Sequence, residues 1–205
     1  MMKNLLPFIF VVILTSCSNE VPYDRLVERN GLIYEVNSET PFTGKTIEYY
    51  FGTNLTQDVE DRIKSTGFYN KGLKDGVFET FHLNGQLMTK GTYSTGKKEG
   101  FHEEFFENGQ LQTRGTYLDG KLDGFIESFF ENGQLQIRGT YKDGETEGIF
   151  EFYNEDGSVE SKNSYKNGSL NMRETYFDQG KNTKKSYYSG DDIYLVETFR
   201  NSDGL

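Results

Sequence analysis

The chain has 205 residues, a formal net charge of −10 and a single cysteine, with 23 glycines, 14 tyrosines, 17 phenylalanines and no tryptophan. That acidic balance excludes a nucleic-acid binder and direct adhesion to anionic headgroups, since both need basic patches. Glycine and ring residues with few aliphatics point to short strands and tight turns, not to a layered core.

Residues 1–16 have the three parts of an export signal. Lys3 supplies the positive segment and Leu5–Leu14 (LLPFIFVVIL) the apolar one. A helix needs roughly 20 apolar residues to span a bilayer, and this run is too short. Thr15 and Ser16 then lead into Cys17. The stretch Leu14-Thr15-Ser16-Cys17 resembles a bacterial lipobox, in which the cysteine thiol takes a diacylglycerol and cleavage frees an amine for another acyl chain. The resemblance implies lipidation at Cys17 and membrane contact through the acyl chains, each buried methylene contributing about 0.8 kcal/mol. The alternative is an ordinary secretory signal with an incidental cysteine. Acylation accounts for a lone thiol in an exported chain, whose mature part has no second cysteine for a disulfide. Cleavage removes Lys3 and no acid, leaving 21 basic against 32 acidic residues and a charge of −11. Ser18, not the aspartate that retains many lipoproteins at the inner membrane, follows Cys17. The expected location is therefore the cell envelope, at the outer membrane, on its periplasmic or surface face.

Residues 17–25 read as a tether and 26–43 as an N-terminal capping hairpin. Repeats occupy 44–188, and 189–205 read as a partial C-terminal repeat or cap. Gly76, Gly100, Gly124 and Gly148 recur every 24 residues, and a fixed period decides the fold. The copies from Gly100 (GFHEEFFENGQLQTRGTYLDGKLD) and Gly124 (GFIESFFENGQLQIRGTYKDGETE) nearly coincide; those from Gly76 and Gly148 are looser. A degenerate copy starts at Met172 and is one residue short at Gly180, and an earlier one at Gly44 carries extra residues from Thr53 to about Glu60. Asn84-Gly85, Asn108-Gly109 and Asn132-Gly133 predict type I′ hairpin turns, with Asp156-Gly157 in the next copy. Second turns follow at Thr95-Gly96, Asp119-Gly120, Asp143-Gly144 and Asn167-Gly168. The expected fold is all-β: an elongated antiparallel meander of hairpins with a 24-residue repeat and no helix in the mature chain. Each repeat advances the sheet by roughly 9.6 Å.

The pattern GxxExFF-ENGQLQ-x-RGTY-x-DGKLDG resembles the MORN-repeat-variant family of bacterial proteins, many of them described as antitoxin components of toxin–antitoxin systems. Leu32-Ile33-Tyr34-Glu35 and Pro41-Phe42-Thr43-Gly44 are similar to the usual start of such proteins. The resemblance covers roughly residues 26–188. It implies a MORN-like β-hairpin fold and allows an antitoxin-like or immunity role, although the lipobox and the insertion depart from the plainest members.

A two-residue turn at Asn108-Gly109 fixes register. Glu107 then faces Gln110, Phe106 faces Leu111, and Glu103 faces Arg114. The same count pairs Glu79 with Lys90, Glu127 with Arg138, Glu151 with Lys162 and, about Gln179-Gly180, Glu174 with Lys185. Each acid–base pair should contribute only about 0.2–1 kcal/mol. Alternation places Phe101, Glu103 and Phe105 on one face with Gln112, Arg114 and Thr116. The columns Leu87/Leu111/Leu135/Val159 and Tyr93/Tyr117/Tyr141/Tyr165 fall on the other, where Gly91, Gly115 and Gly139 let a neighbouring ring lie over the backbone. The Leu/Tyr/Gly face is read as packed. The candidate binding face is the aromatic column Phe81, Phe105, Phe129 and Tyr153, with Phe101 and Phe125 beside it.

Catalytic chemistry is not expected. His82 and His102 occupy repeat positions held elsewhere by Phe or Ile and read as packing residues. There is no cysteine pair for zinc, no glycine-rich phosphate loop and no ligand-dense calcium repeat, so neither a metal nor a cofactor is expected. The leading reading is a lipid-anchored, non-catalytic scaffold that binds a protein partner in the envelope. The alternative is a glycan- or peptidoglycan-binding module, since spaced aromatics can stack on sugar rings.

Overall fold

The computed structural model describes residues 20–51, 62–177 and 180–200. The export signal, Cys17, the extra residues Thr53 to Glu60, Gln179 and residues 201–205 lie outside the described residues. The strands are β1 (Glu20–Pro22), β2 (Leu26–Arg29), β3 (Leu32–Glu35), β4 (Gly44–Tyr49), β5 (Ile63–Asn70) and β6 (Leu73–Lys74). The repeats contribute β7 (Gly76–Phe81), β8 (Leu87–Ser94), β9 (Lys97–Phe105), β10 (Leu111–Leu118), β11 (Lys121–Phe129) and β12 (Leu135–Lys142). The chain continues through β13 (Glu145–Tyr153), β14 (Val159–Lys166), β15 (Ser169–Phe177), β16 (Asn182–Ser189) and β17 (Asp192–Arg200). Among the described residues the helical structure is a single 3₁₀ turn, Tyr23–Arg25.

From β7 to β17 every strand pairs with its neighbours in sequence, within one sheet of 15 strands. The fold is the expected antiparallel hairpin meander. At its N-terminal end β1 lies parallel to β4, and β2–β3 form a separate hairpin. That hairpin is tied to the first repeat turn: Ile33 N donates to Gly72 O (3.0 Å), Gly72 N to Phe42 O (2.7 Å) and Phe42 N to Ile33 O (2.8 Å). Ile33, Phe42 and Tyr69 form a small buried cluster beneath it, joined by Val21, Leu26 and Phe78.

The type I′ turns lie in the second turn column, not at Asn-Gly as expected. Type I′ geometry is found at Asp119-Gly120 (φ 52° and 86°) and at its equivalents Thr95-Gly96, Asp143-Gly144 and Asn167-Gly168, where both residues have positive φ. At Asn108-Gly109 only the glycine does (φ 82°). Gly109 N donates to Phe106 O and Phe106 N to Gln110 O, both at 2.9 Å. This is a three-residue loop, a type I turn closed by a left-handed glycine. Asn108 serves through its side chain instead: Oδ1 accepts Gln110 N at 2.9 Å, and Nδ2 donates to Glu131 O of the next repeat at 3.4 Å.

The extra loop residue is absorbed by a bulge. Phe105, not Phe106, pairs with Leu111, Gln112 is skipped, and Glu104 pairs with Thr113, which restores the expected Glu103–Arg114 register. The same shift separates Phe81↔Leu87 from Thr80↔Thr89 and Phe129↔Leu135 from Ser128↔Ile137. A bulge changes which face the following side chains occupy. The Leu87/Leu111/Leu135/Val159 column therefore lies with the Phe column, not with the tyrosines, and Gln112 leaves the Arg114 face. A second irregularity sits near the type I′ turns, where Thr92↔Glu99 and Gly91↔His102 leave Gly100 and Phe101 between them. Gly100 has φ 67° there, which explains why a glycine marks the period.

The sheet is one layer thick, and packing occurs within its Tyr/Gly face. The rings of Phe78, His102 and Phe150 lie over Gly67, Gly91 and Gly139, where an added Cβ would come within 2.3 Å of a ring atom. Ile126 lies over Gly115 in the same way. Tyrosines stand edge-on between these rings: Phe78–Tyr93 at 5.2 Å, His102–Tyr117 at 4.9 Å and Phe150–Tyr165 at 5.3 Å. Each such pair adds about 0.5–1.5 kcal/mol beyond its buried area.

Gly139→Ala should destabilise the protein by about 1–3 kcal/mol, since the methyl overlaps the Phe150 ring against backbone. Gly115→Ala should cost less, because the flexible tip of Ile126, 2.9 Å away, can rotate. Paired thermal melts check both the sign and the order.

Candidate functional site

Cross-strand partners on the Phe face form one unbroken row of alternating charge. It runs Glu79, Lys90, Glu103, Arg114, Glu127, Arg138, Glu151, Lys162, Glu174, Lys185, Glu197. The within-hairpin pairs follow from turn counting; the continuation between hairpins does not, because it depends on the second bulge. Contacts hold at Lys90–Glu79 (2.8 Å), Lys162–Glu151 (2.9 Å) and Lys185–Glu174 (3.5 Å). Arg114 departs from the expected partner. Its Nε reaches Glu127 of the following hairpin at 2.7 Å, not Glu103, and Arg138 Nε approaches the same carboxylate at 3.0 Å.

Glu127 is buried at 8% exposure. Burial pushes its carboxyl up, but the hydrogen bonds from Arg114 and Arg138 together outweigh this and hold it below the ordinary value. In Glu151 the hydrogen bond from Lys162 is the larger influence and lowers the carboxyl; Tyr153 OH also donates to it at 2.9 Å.

Apolar residues flank this row on both sides. Phe81, Phe105, Phe129 and Tyr153 are half-buried and paired with Leu87, Leu111, Leu135 and Val159. On the other flank Phe101 is 61% and Ile149 60% exposed, and Phe101 meets Phe125 at 5.7 Å. All six aromatic residues expected on the candidate binding face thus share it with the charge row.

The Tyr/Gly face carries a feature that the sequence reading missed: an open groove of about 590 Å³ over β4 to β11. One wall is the ring ladder Tyr69, Phe78, Tyr93, His102 and Tyr117; the floor includes Thr46, Ser65, Thr80, Thr89 and Thr113. Lys74 Nζ stands 4.8 Å from the Phe78 centroid and 4.9 Å from that of Tyr93, and Lys98 Nζ 4.6 Å from that of Tyr117. Burial, and then the Tyr23 phenol at the end of the groove, push the Tyr69 phenol up to about 12. The available signal was Lys74 and Lys98 at one repeat position, where later copies have Leu122, Thr146 and Leu170.

Both histidines are fastened to backbone. His82 Nε2 lies 2.8 Å from Phe105 O, and His102 Nε2 2.8 Å from Thr92 O. Burial outweighs the Thr92 carbonyl and holds His102 below its usual value. Among the described residues no group of three or more His, Cys, Asp or Glu is placed to hold a metal ion.

A carboxyl held below its unfolded value contributes stability above that value, and the contribution is lost as pH falls through the folded one. Glu127→Gln should therefore cost about 1–3 kcal/mol at neutral pH, towards the lower end because half-exposed arginines are screened. It should also flatten the loss of stability below about pH 4.5, the ordinary value of such a carboxyl. Denaturation across pH 3–7, an interval chosen about that value, checks both effects.

No curated protein matches the chain. The family model described as MORN repeat variant matches residues 74–94, 98–119, 122–143 and 146–167. Each match begins at the strand leading into a bulge glycine and ends within or beside a type I′ turn. Residues 74–167 are therefore four consecutive MORN-variant repeats, one hairpin advance each.

Proposed function

We propose that the chain is a lipid-anchored envelope protein, tethered through acyl chains on Cys17, whose repeats act as a non-catalytic scaffold for a protein partner. Repeats of this kind suggest a module involved in binding. The carrying observation is the Phe face, where exposed Phe101 and Ile149 and half-exposed Phe125 line a charge row whose geometry is fixed by cross-strand contacts. Exposed apolar residues beside rigid charges suit protein recognition. Both histidines are committed to backbone carbonyls, which supports a role without acid–base catalysis. The lipobox resemblance supports the envelope and the outer membrane. The resemblance to antitoxin-type proteins fits an immunity role there.

Crosslinking in the native envelope should recover a discrete protein partner. Phe101→Ser with Ile149→Ser should reduce that recovery about tenfold while leaving the melting temperature near its original value. Recovery of no specific protein, or equal recovery by the double variant, counts against this reading.

The exposed aromatics of the Phe face, Phe101 meeting Phe125 at 5.7 Å, favour one second reading, binding to a glycan such as peptidoglycan. Sedimentation with purified sacculi decides it, since no retention at low salt removes it.

A further inference from the structure

The four lysines that line the groove, Lys64, Lys74, Lys90 and Lys98, divide into two kinds. Lys64, Lys90, Arg114, Arg138 and Lys162 each lie within 3.0 Å of a carboxylate. Among the described residues, Lys74 and Lys98 make no ion pair. Both are half-buried in the groove, on either side of Tyr93, which is the cross-strand partner of Lys98. They stand one repeat apart, about 9.6 Å between strand positions, a span that two lysine side chains can close. Burial and then the Lys98 charge lower the Lys74 ammonium, so the two cations repel each other; the carboxylates in the groove lining, Glu48, Glu103 and Glu104, form no ion pair with either. Cation–π contact offsets part of that cost. An anion lying between the two would satisfy both.

We propose that the groove takes an acidic segment of a partner protein, with a side-chain carboxylate bridging Lys74 and Lys98 beside the rings of Tyr93 and Tyr117. The proposal rests on the protein-partner reading above and assigns the partner's chemistry at this face. Three observations favour a carboxylate-bearing peptide over a sugar. The ring ladder packs edge to face, with Tyr69–Phe78, Phe78–Tyr93 and Tyr93–His102 at 71–89° between planes. The ammonium groups stand over Phe78, Tyr93 and Tyr117, on faces that a stacked sugar would need. The floor carries hydroxyls, Thr80 and Thr89 meeting at 2.6 Å, which suit the polar backbone of an extended segment. The chain as a whole carries −10, which disfavours non-specific capture of a polyanion, and the lysine variants assign any capture to this pair.

The test is fluorescence anisotropy of a labelled hexaglutamate peptide with the full chain in detergent, against a hexaglutamine control. Lys98→Leu and Lys74→Thr copy residues that the repeat already carries at Leu122 and Thr146, so the fold should survive; a melt confirms it. Saturable binding of hexaglutamate alone, weakened about tenfold by either variant and kept by Lys98→Arg, is the expected result. The inference is overturned by no binding, by equal binding in the lysine variants, or by stronger capture of polygalacturonate or phosphatidylglycerol vesicles through the same lysines. If the native envelope partner is still recovered by Lys98→Leu at the original level, the scaffold reading stands and this inference falls.

Discussion

A sheet one layer thick has no second layer to cover its apolar side chains, so it must bury them against itself. Here the solution is a ring laid flat on a strand that has no side chain at that point. Phe78 over Gly67, His102 over Gly91 and Phe150 over Gly139 use the same device, and standing tyrosines close the space between successive rings. Buried apolar residues are correspondingly few among those described: Ile33, Phe42, Tyr69 and Phe150. Cohesion comes from each repeat resting on its neighbour, as in other quasi-one-dimensional folds.

That constraint explains the remaining repeat positions. A ring reaches its glycine only if register holds from strand to strand, and two bulges per repeat set that register. The turns are in turn fastened to the next repeat. Asn84 and Asn132 donate to Glu107 O and Glu155 O at 2.7 and 3.0 Å along one edge. Along the other edge, Glu99, Asp123 and Glu147 accept the turn amides of Asp119, Asp143 and Asn167 at 2.9–3.0 Å. The acid preceding the bulge glycine is thus a lock between hairpins as well as a source of solubility.

With one face occupied by rings, the opposite face carries charge. Its row alternates acid and base because neighbouring strands present the same register position, and like charges directly opposite would destabilise the sheet. Glu127 shows why the row acts as a network: one carboxylate holds arginines from both adjacent strands. Rigid charge flanked by exposed Phe101 and Ile149 is a surface suited to recognition. The groove on the ring face differs in kind, since Lys74 and Lys98 stand over its rings without an ion pair, unlike the paired bases of the charge row.

Much of this was legible in the sequence, because local chemistry repeated every 24 residues is strong information. The glycine period, the hairpin meander, the acid–base pairs within hairpins, the aromatic face and the glycines beneath rings all follow from composition and spacing. The structure decided what local chemistry leaves balanced. Asn-Gly is compatible both with a two-residue turn and with a three-residue loop ending in a left-handed glycine. The loop was selected, and the bulge at Gln112 then carried Leu111 to the opposite face while restoring Glu103 to Arg114. Two compensating one-residue shifts leave a counted pair intact and so cannot be seen from it. Nor could the sequence bring Lys74 and Lys98 together over one ring ladder, because that contact belongs to neighbouring hairpins. Sequence by itself determined the repeat and its chemistry; tertiary structure decided the faces, since side-chain direction in a strand turns on a single inserted residue.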